Sequence, residues 1–227
     1  MKKIVILSAG PGLQEIVNIY GHSSEWIPNI LSNHNLDYVV KKVYEMDKCN
    51  LNDGDAWIIT GSKYSVYDNH EWIIKLLNFT EKLIKNNKKI LGICFGHQIL
   101  GKALGANVIK NPLGWELGSY DISLTKTGKE SILFDGFSDN ETVYESHQDV
   151  VMNIPDYFNV LANTEKSIQA FEYNSGIYGV QFHPEFSWDI IKKYVSIRSA
   201  LGVTVDDPSV PESNHGEAVL HNFIDLI

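Results

Sequence analysis

One of the two cysteines in this chain sits in a glycine frame, Gly92-Ile93-Cys94-Phe95-Gly96. The form G-x-C-x-G is the sulfur counterpart of the G-x-S-x-G nucleophile elbow, a tight turn from a strand into a helix. Side chains two positions before and after the nucleophile would collide with the neighbouring strand and helix, so glycines stand there. Such a turn presents the thiol at the carboxyl edge of a parallel sheet, where α/β proteins bind ligands. A helix N-terminus favours the thiolate form. It also leaves the Phe95 amide free to face a developing oxyanion. Cys49, in EMDKCNLNDGD, has no such frame and reads as an ordinary surface or half-buried thiol.

A nucleophilic cysteine needs a base, and the base needs an orienting group. The candidate among eight histidines is His183, at the end of the strand-like stretch GIYGVQFH. Glu185 follows beyond Pro184, whose fixed φ helps to project both side chains from one turn. The carboxylate can accept Nδ1–H of the imidazole and leave Nε2 toward the thiol. The same H-x-E occurs in zinc deaminases, but those need P-C-x-x-C downstream, and no cysteine follows Glu185. A metal site from His147, Asp149, His183 and Glu185 matches no familiar zinc spacing. Neither a metal nor a cofactor is expected.

These residues need a scaffold. A β-branched run at 4–7 ends in SAGPG and reads as a buried strand and a loop. SSEWIPNILSNHN reads as a helix with Ser23 or Ser24 as N-cap and Trp26, Ile27, Ile30 and Leu31 at helical spacing. DYVVKKVY and DAWIITGS are the second and third strands. Over 71–86, Ile73, Leu76, Leu77, Leu83 and Ile84 recur on one helical face. KILGI is the fourth strand, and the helix beyond Cys94 runs over about 96–104. This alternation predicts βαβ units and a mostly parallel sheet. From residue 116 onward, ELGSYDISLT, ETVYESH, FNVLANT, IQAFEYN and IYGVQFH are close-set strands, expected as an antiparallel layer or an extension of the sheet. Helical spacing resumes at 188–201, GVTVDDPSVPESNHG is a loop, and EAVLHNFIDLI is the last helix.

At 227 residues, 44% hydrophobic and 21% charged, the chain has the size of one α/β domain with a buried core. A net charge of -9 argues against a nucleic-acid backbone as the main partner. The Lys-rich stretch 82–89 is interrupted by Asn and apolar residues and reads as the solvated side of a helix. MKKIVILSAGPG has only four apolar residues before Ser8, short of the roughly 7–15 of a secretory segment. No run approaches the ~20 apolar residues of a membrane span. A cytoplasmic protein without disulfides or membrane association is the expectation.

Taken together, GICFGHQ at 92–98, ESHQD at 145–149 and GVQFHPE at 179–185 resemble the class I glutamine amidotransferase (triad glutaminase) family, with general similarity over about 1–190. The resemblance implies a Cys94–His183–Glu185 triad, a covalent γ-glutamyl thioester, release of ammonia or an amine, and hydrolysis. It assigns one oxyanion donor to the amide of Phe95. The second belongs to the turn in TGSKYSVYD, where many members have two glycines and this chain has Gly61-Ser62; either amide is a candidate. Gln98 is implied to hold the α-amino or α-carboxylate end of the substrate. Ser146 and His147 belong to a loop whose backbone contacts that same end.

The fold expected is α/β, a flavodoxin-like open, mostly parallel sheet with helices on both faces and a small antiparallel extension in the second half. One domain is expected over 1–227, with 187–227 as a helical extension that packs on the sheet and borders the site. ITGSKYSVYD and SHQDVV look like the standalone γ-glutamyl hydrolase branch, often labelled GMP-synthase-like, and no ATP-pyrophosphatase module is read in the chain. The expected substrate is glutamine or another γ-glutamyl small molecule. The alternative is an ammonia-donating subunit active only with a synthetase partner. For that reading, Trp115 in GWELGSYD is either a docking aromatic or an ordinary strand-edge residue.

Overall fold

The structure is a computed structural model describing residues 1–206, 210–212 and 215–227. The loop expected over 202–216 lies partly outside the described residues. The first half runs β1 (Lys2–Ser8), α1 (Gln14–Tyr20), α2 (Ser23–Ile30), β2 (Leu36–Lys42), β3 (Ala56–Ile59), α3 (Glu71–Lys85), β4 (Lys89–Ile93) and α4 (Phe95–Ala103). Then follow β5 (Asn107–Lys110), β6 (Glu116–Leu124), α5 (Lys126–Lys129), β7 (Asn140–His147), β8 (Asp149–Met152), β9 (Asn159–Asn163), β10 (Ile168–Tyr173) and β11 (Ile177–Val180). The chain closes with α6 (Trp188–Ala200) and α7 (Ala218–Asp225).

Among the described residues, nine strands form one sheet in the order β2-β1-β3-β4-β11-β10-β9-β6-β7. The first five run parallel to one another, and β10, β9, β6 and β7 continue the sheet antiparallel. The central strands are apolar throughout because both faces are covered. Ile4 and Ile6 of β1 point to the face held by Ile27 and Leu31 beside α2 and by Val219, Leu220 and Phe223 of α7. Val5 and Leu7 point to the other face, under Trp72, Ile73 and Leu76 of α3 and Ile99 and Leu100 of α4. The period of two along β1 thus feeds two cores. No helix of the described residues is long and apolar enough to cross a membrane.

Several elements differ from expectation for local reasons. The seven-residue α1 buries only Ile16, so it carries no helical period. The N-cap of α2 is His22 and not a serine: its ring accepts from the Ser24 amide, while Glu25 accepts from the His22 amide at 3.0 Å. That reciprocal pairing is a capping box with histidine in the serine role. The strand expected to reach Tyr44 stops at Lys42, where Val43–Glu45 tighten into a short helical turn. β5 and β8 pair as a separate two-stranded ribbon. β11 ends at Val180, short of His183, and the Cys94 amide donates to the Val180 carbonyl at 2.8 Å.

Candidate active site

Three adjacent parallel strands, β3, β4 and β11, end at one edge of the sheet. Just beyond their carboxyl ends stand Gly61, Cys94 and His183, respectively. Cys94 is buried, at φ 52° and ψ -102°, immediately before α4. This backbone is strained for a non-glycine residue and persists only because its surroundings hold it. The flanking glycines show how: a Cβ on Gly92 would strike the Gly96 carbonyl, and one on Gly96 would strike the Ile59 carbonyl. Phe95 is the first residue of α4, and an N–H at that position has no intrahelical acceptor.

His183 is held from four directions. Its amide donates to the Tyr144 carbonyl at 2.8 Å. Its Nδ1–H donates to Glu185 Oε1 at 2.9 Å. Its ring stacks on Phe186 at 3.9 Å between centroids and 12° between planes. Phe186 in turn stacks on Tyr194 of α6 at 4.9 Å. With Nδ1 engaged, Nε2 is the nitrogen left for the hydrogen bond with Cys94. Burial alone would lower the imidazole pKa, but the Glu185 carboxylate and Cys94 outweigh it and lift it to about 10. Both neighbours favour the protonated ring, which lies between a carboxylate and a sulfur.

The cleft over Cys94 has a volume of about 220 Å³. One wall is the turn after β3. Asp149 ties that turn down by accepting from Ser65 Oγ at 2.5 Å and Tyr67 Oη at 2.8 Å. Gly61 faces the triad and Ser62 lines the cleft. Gln98 also lines it, but its amide nitrogen already donates to the Asp149 carbonyl at 2.9 Å and to Gln181 Oε1 at 3.1 Å. What it offers a ligand is its carbonyl oxygen. His147, Gln148 and Asp149 line the cleft as well. Ser146 is not among the lining residues, and its hydroxyl is buried without a partner.

A family model described as glutamine amidotransferase class-I matches residues 15–195. The chain belongs to the class I glutamine amidotransferase family. A glutamine amidotransferase-like protein of Schizosaccharomyces pombe is 34% identical over 86% of this chain and 83% of its own length. Gamma-glutamyl peptidase 3 of Arabidopsis thaliana is 30% identical over 66% of this chain and 61% of its own. The crystal structure of a glutamine amidotransferase from Methylobacillus flagellatus superposes with a TM-score of 0.77 at 20% identity, covering 100% of this chain and 94% of that one. That last likeness is one of fold.

Behind the cleft, this class I amidotransferase carries a buried charge cluster that its sequence did not announce. β6 and β7 pair Glu116 directly with His147. His147 Nε2 lies 3.3 Å from Glu116 Oε2 and 3.2 Å from Glu145 Oε2, with both carboxylates at 0% exposure. Its Nδ1–H donates to the Asp149 carbonyl at 3.1 Å. Burial opposes the charged imidazole, but Glu145 and Glu116 together lift its pKa to about 10. Burial pushes Glu145 up to about 7 against the pull of His147. Burial pushes Glu116 the same way, yet His147 and the hydroxyls of Ser167 and Thr164 hold it below its ordinary value. His147 thus uses its side chain inward and leaves only its backbone neighbourhood to the cleft.

Two cations at the site also went unread in the sequence, Lys63 and Arg198. Arg198 comes from α6 and lies over the Trp115 ring at 4.8 Å. Trp115 is half-buried and forms a wall of the cleft. Cys49, by contrast, stays half-buried away from the site, and burial pushes its thiol up to about 11.

Proposed function

We propose that this amidotransferase hydrolyses the γ-amide of glutamine or of another γ-glutamyl compound through a thioester on Cys94. The observation that carries the reading is the line Cys94–His183–Glu185 at the ends of β4 and β11. It joins a strained nucleophile position, a protonated imidazole and an orienting carboxylate in one buried row.

Cys94 Sγ attacks the γ-carbonyl carbon, and the carbonyl electron pair moves onto oxygen. The amide of Phe95 and that of Gly61 or Ser62 stabilise this oxyanion; losing one such donor costs about 2.7–4 kcal/mol of barrier. As the tetrahedral species collapses, the C–N bond breaks and His183 Nε2 gives its proton to the departing nitrogen. A water then attacks the thioester while His183 takes its proton. The C–S bond breaks, and glutamate leaves. Glu185 keeps the imidazole in one tautomer throughout. Gln98 and the backbone near Ser146 and His147 hold the amino-acid head. Similarity to a gamma-glutamyl peptidase supports hydrolysis as the reaction.

The test is release of free glutamate by the purified chain from glutamine and a panel of γ-glutamyl amines. The expected result is turnover of at least one panel member, abolished in Cys94→Ser, with a glutamyl adduct on Cys94 seen by mass spectrometry. Turnover that survives Cys94→Ser would overturn the mechanism.

A further inference from the structure

The cleft over Cys94 meets a second, narrower hollow of about 40 Å³ on the far side of the triad. Gln98 and Asp149 line the first space, whereas His183, Glu185 and Phe186 line the second. Ser62, Lys63 and Arg198 line both and so stand at the junction. The two cations there have no ion pair among the described residues. Lys63 is exposed, with its ammonium 5.5 Å from the centre of the Tyr64 ring. Arg198 is braced on Trp115, and its Nε is buried without a hydrogen-bond partner. Desolvating a donor on a guanidinium and leaving it unpaired is costly. In a chain of net charge -9, two unpaired cations converging on one junction mark a place for an anion. A guanidinium packed over an aromatic ring keeps a planar fork that suits a carboxylate.

Direction decides which carboxylate. The amino-acid head of a γ-glutamyl substrate lies toward Gln98 and Asp149. The departing nitrogen must lie toward His183, which protonates it. Lys63 and Arg198 line both spaces, and in the second they stand beside His183, the side of the leaving group. Given the hydrolase reading above, we infer that Arg198, seated on Trp115, and Lys63 form an anion subsite for a carboxylate on the leaving amine. The favoured substrates are then γ-glutamyl peptides and γ-glutamyl amino acids in preference to glutamine, whose leaving group is ammonia. Arg198 lies beyond the stretch matched by the family model, residues 15–195, whereas Lys63 and Trp115 lie within it.

The test compares γ-glutamylglycine with γ-glutamylglycinamide, which differ only in the terminal carboxylate. The wild-type protein should favour the acid by about tenfold or more in kcat/KM, the scale of one charge-assisted hydrogen bond. Arg198→Gln should erase most of that ratio, and Lys63→Gln should reduce it. A wild-type ratio near one overturns the inference, and so does an Arg198→Gln effect equal on both compounds. Calorimetric binding of the same two compounds to Cys94→Ala separates this from the hydrolase reading. If neither compound is cleaved, the hydrolase reading rests on the other panel members, and binding alone decides the subsite. The subsite still stands if Cys94→Ala binds the acid about tenfold more tightly and Arg198→Gln removes the difference. Equal binding, or none, overturns it.

Discussion

Gly61 packs directly on His183: a Cβ built on Gly61 would lie 2.9 Å from the imidazole Cε1 and 3.6 Å from the Cys94 Cβ. Ser62 follows it in the turn, and the position that touches His183 carries no side chain. Gly61→Ala should push the ring away from the sulfur while leaving the sheet intact. A displacement on the order of 1 Å in a reacting group can cost roughly 10²-fold in rate. Single-turnover formation of the Cys94 adduct would measure this, and a rate equal to wild type would show that the ring can retreat at no cost.

Glu185 supplies the largest charge that raises the His183 pKa. Because that pKa is raised, to about 10, its stabilising contribution is fully present below the ordinary value near 6.5. It is lost as pH rises through about 10. Removing the carboxylate removes the largest part of the raise and leaves that of Cys94. Glu185→Gln should move the alkaline limb of the rate profile down toward neutral pH and leave residual activity. Hydrolysis and Cys94 alkylation measured across pH should shift together; an alkaline limb unmoved in Glu185→Gln would assign the proton's stability to some other group.

The Glu116–His147–Glu145 cluster is expected to matter for stability before it matters for chemistry. His147→Gln leaves two buried carboxylates facing each other without a cation and should cost about 3–5 kcal/mol. Glu145→Gln keeps the Glu116–His147 pair and should cost clearly less. Glu145 has its pKa raised to about 7. Its contribution is therefore present below its ordinary value and lost as pH rises through about 7. Glu145→Gln cannot ionise, so it should gain on wild type between about pH 5 and about pH 8 in urea unfolding. The reverse trend, or Glu145→Gln proving the costlier change, would show that the charges are arranged otherwise.

The meeting of Cys94, His183 and Glu185 was legible in the sequence because its constraints are local. An elbow demands small residues two positions either side of Cys94, and the collisions a Cβ would meet at Gly92 and Gly96 bear this out. His183 and Glu185 share one turn, so their hydrogen bond needs no distant partner. The apolar runs of β1, β3 and β4 announce strands covered on both faces. Short elements such as α1 and β5 stayed hidden because too few of their residues are buried to leave a period.

What only the tertiary structure decided lies across long separations. Nothing near Glu116 announces His147; the register of β6 against β7 makes them neighbours. Nothing in α6 distinguishes Arg198 from a solvated helix residue until docking sets it over Trp115 at the mouth of the cleft. Gln98 reads as a ligand-binding side chain, yet the fold spends its donors on Asp149 and Gln181. Reactive geometry here is written into single turns, where neighbouring residues constrain one another. Charge pairing and the walls of the cleft depend on which strands and helices meet, and that is settled by packing of the whole chain.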